Sequence, residues 1–217
     1  MISIEDLEIR FGENCKAILS GVDVSVKKGK NTLIIGKSGS GKTKLLETIM
    51  GIIPEIYVKK GKFFVDNKEL TYKEYKEHKI HKTFSAIFQD AVHSLHPYRT
   101  IEKQCQVSSA TASDVFKKFR LNYSHIKDEY PKNLSGGQCQ RISILFPYLL
   151  KRDIIIFDEP VTDIDSISMN TILDIIREEF FNNSEKTVIY VTHSYEELSD
   201  INFNTYKIEN KTVTQRL

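Results

Sequence analysis

The chain has 217 residues, 40% of them hydrophobic and 28% charged, a balance that excludes a disordered or fibrous protein. Lysine and arginine total 31 against 29 for aspartate and glutamate, and a net charge of +2 gives no basis for nucleic-acid binding. Cys15, Cys105 and Cys139 are odd in number, far apart and form no CxxC. That argues against a disulfide framework or zinc knuckle and for a reducing cytoplasm.

In chain order, Met1 to Asp6 lacks the basic and then apolar regions of a signal peptide. Ile4, Leu7, Ile9 and Phe11, then Val22, Val24 and Val26, alternate as two half-buried strands would. Three short continuous apolar runs follow: Thr32 to Ile35, Ile154 to Phe157 and Thr187 to Val191. These suit strands of a parallel sheet covered on both faces. Two helical stripes lie between them, Ile142, Leu145, Leu149, Leu150 and Met169, Ile172, Leu173, Ile176, Phe180. Strands alternating with helices predict an α/β fold. Residues 90–151 break the alternation, with helical patterns and no convincing strand. They read as a helical subdomain inserted into one domain whose core is 1–89 and 152–217. The longest apolar stretch, 142–150, falls short of the ~20 residues of a membrane span, so any action at a membrane must go through a partner.

Gly36-Lys37-Ser38-Gly39-Ser40-Gly41-Lys42-Thr43 fits GxxxxGK[ST], with an apolar strand before it and a helical pattern after it. Glycines let backbone N–H groups converge on phosphate oxygens, and the helix start adds positive potential. Lys42 would reach the β/γ-phosphates and the Thr43 hydroxyl would ligate Mg²⁺. Asp158 and Glu159 end the apolar run at 154–157, which puts two carboxylates at the carboxyl edge of a parallel sheet. Asp158 would hold Mg²⁺ and Glu159 would polarise the attacking water. Leu134-Ser135-Gly136-Gly137-Gln138 buries almost nothing, yet it directly precedes an apolar helix, which suggests a second anion site. One phosphate loop and one separate anion-binding helix start suggest that two chains sandwich each nucleotide.

With these motifs the chain resembles, over nearly its whole length, the nucleotide-binding subunit of ABC transporters. The resemblance implies a P-loop NTPase core with a mainly parallel sheet, an N-terminal antiparallel β region and the inserted helical subdomain. It implies that Ser135 and Gly137, within the Ser135–Gln138 motif, contact the γ-phosphate held by the opposite subunit. Gln89 looks like the glutamine that senses Mg²⁺ and the membrane partner. Asp165 looks like the aspartate coupling the two sites, His193 like the histidine that grips the γ-phosphate, and Phe11 like the aromatic that stacks on adenine.

Phe88-Gln89-Asp90, Ser94-Leu95-His96-Pro97, Thr100-Ile101 and Tyr130-Pro131 look like the peptide and nickel importer branch. Lys37 and the segment Val161 to Ile164 depart from the family's usual residues. The chain ends at Leu217, so the C-terminal extension of many such importers is not expected. What the resemblance implies is an ATP hydrolase using Mg²⁺, peripheral on the cytoplasmic face of the cell membrane. Its partners would be permease subunits, a second ATPase subunit and an extracytoplasmic substrate-binding protein, with Leu95, Pro97 and Tyr98 offering the permease an apolar contact. The alternatives are a soluble ABC-type ATPase in cofactor assembly or an exporter ATPase. The pairs His78/His81 and His93/His96 lack completing ligands and read as surface histidines, and the lysine-rich 72–82 as a solvated helix face.

Overall fold

The computed structural model describes residues 1–12, 15–78, 80–88, 94–162, 164–194 and 196–216, with the side chains of 80, 81, 109, 197 and 216 left aside. The strands are β1 (Ile2–Ile9), β2 (Leu19–Val26), β3 (Asn31–Gly36), β4 (Val58–Val65), β5 (Lys68–Leu70), β6 (Phe84–Ile87), β7 (Ile154–Asp158), β8 (Thr187–Thr192), β9 (Asn204–Glu209) and β10 (Thr212–Arg216). The helices are α1 (Lys42–Ile49), α2 (Tyr72–Glu77), α3 (Ile101–Cys105), α4 (Ser109–Lys118), α5 (Tyr123–Ile126), α6 (Gly136–Leu150) and α7 (Ser166–Ile176). Among the described residues of 90–151 every regular element is helical, and the contacts divide the chain into two compact units.

The first unit comprises 1–84, 153–156 and 184–217. It holds an antiparallel sheet of order β2-β1-β4-β5 and a second sheet in which β3 pairs parallel with both β8 and β9 while β10 pairs antiparallel with β9. All six residues of β8 are buried, as the unbroken apolar run required. In β1 strict alternation fails, because Ile4 opposes Val24 whereas Leu7 opposes Val22. One extra residue sits on β1, and Asp6 absorbs it at φ 51° while its N–H donates to Asp23 Oδ1 at 2.8 Å. This β-bulge returns Leu7 and Ile9 to the buried face.

The second unit comprises 85–152 and 157–183, and α7 belongs to it. Phe116, Phe119, Ile142, Leu145, Phe157 and Phe180 are fully buried, with Phe157 and Phe180 edge to face at 5.2 Å. Leu150, which the helical stripe assigned to the core, is 56% exposed in the last turn of α6, where Lys151 turns left-handed and ends the helix. Leu95 corrects the expected contact surface in the other direction. It is only 3% exposed and belongs to the core, whereas Tyr98 is 85% exposed. A short apolar stretch beside a turn does not reveal which of its side chains points inward.

Cys15, Cys105 and Cys139 are free thiols, and burial pushes the Cys105 thiol up to about 12 and raises that of Cys139. The reactive thiolate form is thereby disfavoured at both.

Candidate nucleotide site

In the first unit β3 delivers the chain into the loop 36–43, and α1 begins directly after it. Gly36 is obligatory, since a Cβ there would meet Ser40 Oγ at 2.5 Å and the Ile208 carbonyl oxygen at 3.1 Å. Gly41 has φ 105°, and a Cβ would stand 3.0 Å from Leu19 Cδ2. As the N-cap of α1 it offers no side-chain acceptor, so the first-turn amides receive no side-chain cap. Lys42 is 6% exposed, and its ammonium donates to the carbonyls of Gly36 at 2.9 Å and Lys37 at 3.3 Å. Ser40 Oγ is buried without a hydrogen-bond partner. Buried hydroxyls are nearly always paired, so this one suits a ligand oxygen arriving from outside the chain. Ser38, Gly39 and Thr43 are exposed around it. Uncapped amides, an ammonium and an orphan hydroxyl around a glycine cradle fit a polyphosphate.

Phe11 follows β1 in the same unit and is 47% exposed. Its ring meets Tyr57 edge-on, centroids 4.6 Å apart, and the Lys44 ammonium lies 5.5 Å from its centroid. Lys44 belongs to α1, so the aromatic and the phosphate loop are tied through one helix. His193, just beyond β8, is exposed at a turn where the Ser194 N–H donates to Thr192 Oγ1 at 3.1 Å.

In the second unit Asp158 closes β7 and is 8% exposed. Glu159 follows with φ 51°, a left-handed backbone that costs a non-glycine residue about 1 kcal/mol or more. The Thr162 hydroxyl donates to Glu159 Oε2 at 3.3 Å, and the Thr162 N–H bonds the Glu159 carbonyl at 3.3 Å. A tight turn therefore holds the carboxylate, and Thr162 is a residue that sequence reasoning passed over. Its signal was the spacing of three that a turn requires.

Ser135 is the N-cap of α6: its Oγ accepts from the Gln138 N–H at 3.2 Å, and the Gln138 side chain accepts from the Ser135 N–H at 2.8 Å. This capping box engages both ends of the Ser135–Gln138 motif within the helix itself. Gly136 has open space around it, whereas a Cβ on Gly137 would stand 2.8 Å from Ser168 Oγ in α7. Arg141 donates to the Gly137 carbonyl at 3.0 Å and to the Arg120 carbonyl at 2.6 Å, a second brace that sequence reasoning missed. Asp165 caps α7, its Oδ1 accepting from Ile167 at 3.1 Å and Ser168 at 2.9 Å. Those bonds, the Ser168 one foremost, hold its carboxyl below the usual range.

Gln89, Asp90 and His93 lie outside the described residues, as does the side chain of His81. Among the described residues no group of three or more His, Cys, Asp or Glu could hold a metal, and His96 Nδ1 accepts from the Tyr98 N–H at 3.2 Å. The Thr43 hydroxyl in the first unit and the Asp158 carboxylate in the second are each, taken singly, hard oxygen donors of the type Mg²⁺ takes, and that ion is commonly held by one or two such groups plus substrate phosphates. The ion when bound would neutralise phosphate charge.

A buried strand running through a glycine-rich loop into a helix with Lys42 and Thr43 at its start defines a P-loop NTPase. The sequence profile of the family described as ABC transporter matches residues 19–162. The chain belongs to the ABC transporter family, as its ATP-hydrolysing, nucleotide-binding domain. The ergothioneine transport ATP-binding protein EgtV of Helicobacter pylori is 30% identical over 214 residues, covering 96% of this chain and 97% of that protein. The L-cystine import ATP-binding protein TcyC of Bacillus subtilis is 30% identical over 208 residues, 89% of this chain and 80% of that one. The Fe(3+) ions import ATP-binding protein FbpC of Fusobacterium nucleatum is 29% identical over 90% of this chain, which spans only 52% of that relative's length. In fold the chain is similar to an ATP-binding cassette solved as a dimer in a post-hydrolysis state with ADP and Pi. The TM-score is 0.76 at 24% identity, covering 100% of this chain and 98% of that one.

Proposed function

We propose that the chain is the ATP-binding subunit of an ABC importer, working on the membrane through partner permease subunits. The carrying observation is that one chain holds two unlike helix starts, one uncapped beside Lys42 and Ser40 and one presenting Ser135 and Gly137. A γ-phosphate bound by the first in one subunit is a ligand for the second in another, so ATP joins two subunits at two sites. In this reading Lys42, Thr43 and the 36–41 loop bind the phosphates and Phe11 stacks on adenine. Asp158 and Gln89 serve Mg²⁺, Glu159 takes the proton of the attacking water, and His193 and Asp165 attend the γ-phosphate and the second site. Closing on ATP and reopening after hydrolysis would then drive the permease. No helix among the described residues is long and apolar enough to cross a membrane, in keeping with attachment through a partner.

Import is supported by the names of two relatives, for iron and cystine, and a third is named for ergothioneine transport. The peptide or nickel branch rests on the short runs at 88–90, 94–97, 100–101 and 130–131. Two measurements test the reading. Glu159→Gln should run as a dimer with ATP and as a monomer with ADP in size-exclusion chromatography. A variant that stays monomeric in saturating ATP but pairs with a second ATPase subunit would replace the homodimer with a heterodimer. In proteoliposomes with its permease, ATPase activity should rise with one of Fe³⁺, cystine, ergothioneine, a dipeptide or a nickel chelate. Partnership with soluble proteins alone would favour the cofactor-assembly reading.

A further inference from the structure

Lys44 is the residue that the phosphate loop does not account for. It is the third residue of α1, directly after Lys42 and Thr43. Its ammonium is gripped by Glu47, at 2.8 Å from Oε1 and 2.7 Å from Oε2, and lies 5.5 Å from the centroid of Phe11. A cation within about 6 Å over an aromatic face is attracted by the ring quadrupole. Tyr57 meets the same ring edge-on at 75°. The Arg10 N–H donates to the Tyr57 carbonyl at 3.0 Å, which ties the backbone beside Phe11 to the 55–57 turn. Phe11 would otherwise be a half-exposed ring just beyond the end of β1, only partly fixed by burial. Two contacts from different parts of the chain therefore meet on one exposed aromatic, and a backbone bond and an ion pair hold the groups that make them.

We propose that Lys44, fixed by Glu47 and seated on Phe11, is a positioning residue that holds the Phe11 ring as a rigid platform for the nucleotide base. The inference rests on the reading of Phe11 as the base-stacking residue. Its physical content is pre-organisation: a ring already ordered loses less freedom when a base stacks on it. The same contact couples the base platform to α1, the helix that carries Lys42 and Thr43. Glu47 supplies the restraint, since a lysine ammonium on a four-carbon stem would otherwise sample many positions.

The test compares ATP with inorganic tripolyphosphate, which has no base, by calorimetric titration of the full chain in Mg²⁺. Lys44→Met should weaken ATP about two- to five-fold, leave tripolyphosphate unchanged, and add no further loss in a Phe11→Ala background. Lys44→Arg, which keeps a cation for the ring, should restore ATP affinity, and Glu47→Gln should give a smaller loss in the same direction. Equal losses for ATP and tripolyphosphate would overturn the inference, because Lys44 would then act on phosphates directly. Losses from Lys44→Met and Phe11→Ala that simply add would overturn it as well. If Phe11→Ala left ATP affinity unchanged, the base-stacking reading itself would fall and the inference with it; if Phe11→Ala weakened ATP while Lys44→Met did not, only the inference would fall.

Discussion

The start of α1 and the start of α6 use the same physics in opposite ways. Each opens a helix next to glycine and was read as an anion site from its sequence. At α1 the N-cap is Gly41, which has no side chain to satisfy the first-turn amides, and the buried Lys42 adds a full charge. At α6 the N-cap is Ser135, whose Oγ already accepts from Gln138, and Gln138 returns the bond. A helix start that holds its own ligand for long must leave its amides open. One that meets the ligand only transiently can stay self-capped and stable, because the Ser135 hydroxyl still has its proton to donate. In the proposed function, the contrast separates a binding site from a surface kept in order for a later encounter.

The largest effect that would sharpen this comparison is expected at Lys42. Lys42→Ala removes a charge-assisted bond worth about 3 kcal/mol, so ATP affinity should fall roughly 100-fold by titration calorimetry. A fall under about ten-fold would mean that the open amides suffice and the two helix starts are more alike than their caps suggest.

Gly137→Ala probes the other side. Helix propensity alone favours alanine by about 1 kcal/mol, yet its Cβ would press on Ser168 Oγ at 2.8 Å. We expect a net loss of about 1–2 kcal/mol in urea unfolding, partly recovered on adding Ser168→Gly. A net gain would show that Ser168 simply rotates away.

Ser135→Ala should cost about 1 kcal/mol of stability through the lost cap. Ser135→Asp keeps a capping acceptor but sets a negative charge where a phosphate must come. It should therefore match wild type in urea unfolding while abolishing the ATP-dependent dimer of the Glu159→Gln background. Intact dimerisation in that variant would remove Ser135 from the phosphate contact.

The smallest effect concerns the cap of α7. The Asp165 carboxyl is held below its ordinary range, first by the Ser168 bonds, so the folded state favours its ionised form. Its contribution is complete above the unfolded carboxyl value of about 3.9 and is lost as pH falls through the lower folded value. Melting temperatures between pH 6 and pH 2 should fall less steeply for Asp165→Asn than for wild type. Parallel curves would mean that the cap is not coupled to protonation.

Much of this was legible in the sequence because it is local. GxxxxGK[ST] after an apolar strand fixes its own loop through glycine backbones, and runs such as Thr187 to Val191 announce a buried parallel strand. The cap at Asp165 was equally local, since an aspartate opens the helix that begins at Ser166, though the family resemblance drew attention to another role. Tertiary structure alone decided the rest. Nothing near Leu95 says that it is buried while Tyr98 is exposed, and nothing near Asp6 says that β1 must absorb an extra residue against β2. Lys44 lies 33 residues from Phe11 in the chain, and Ser168 reaches Gly137 only because α6 and α7 pack together. Backbone conformation follows from neighbours along the chain, but a contact between distant residues exists only once the whole unit has paid the entropy of bringing them together.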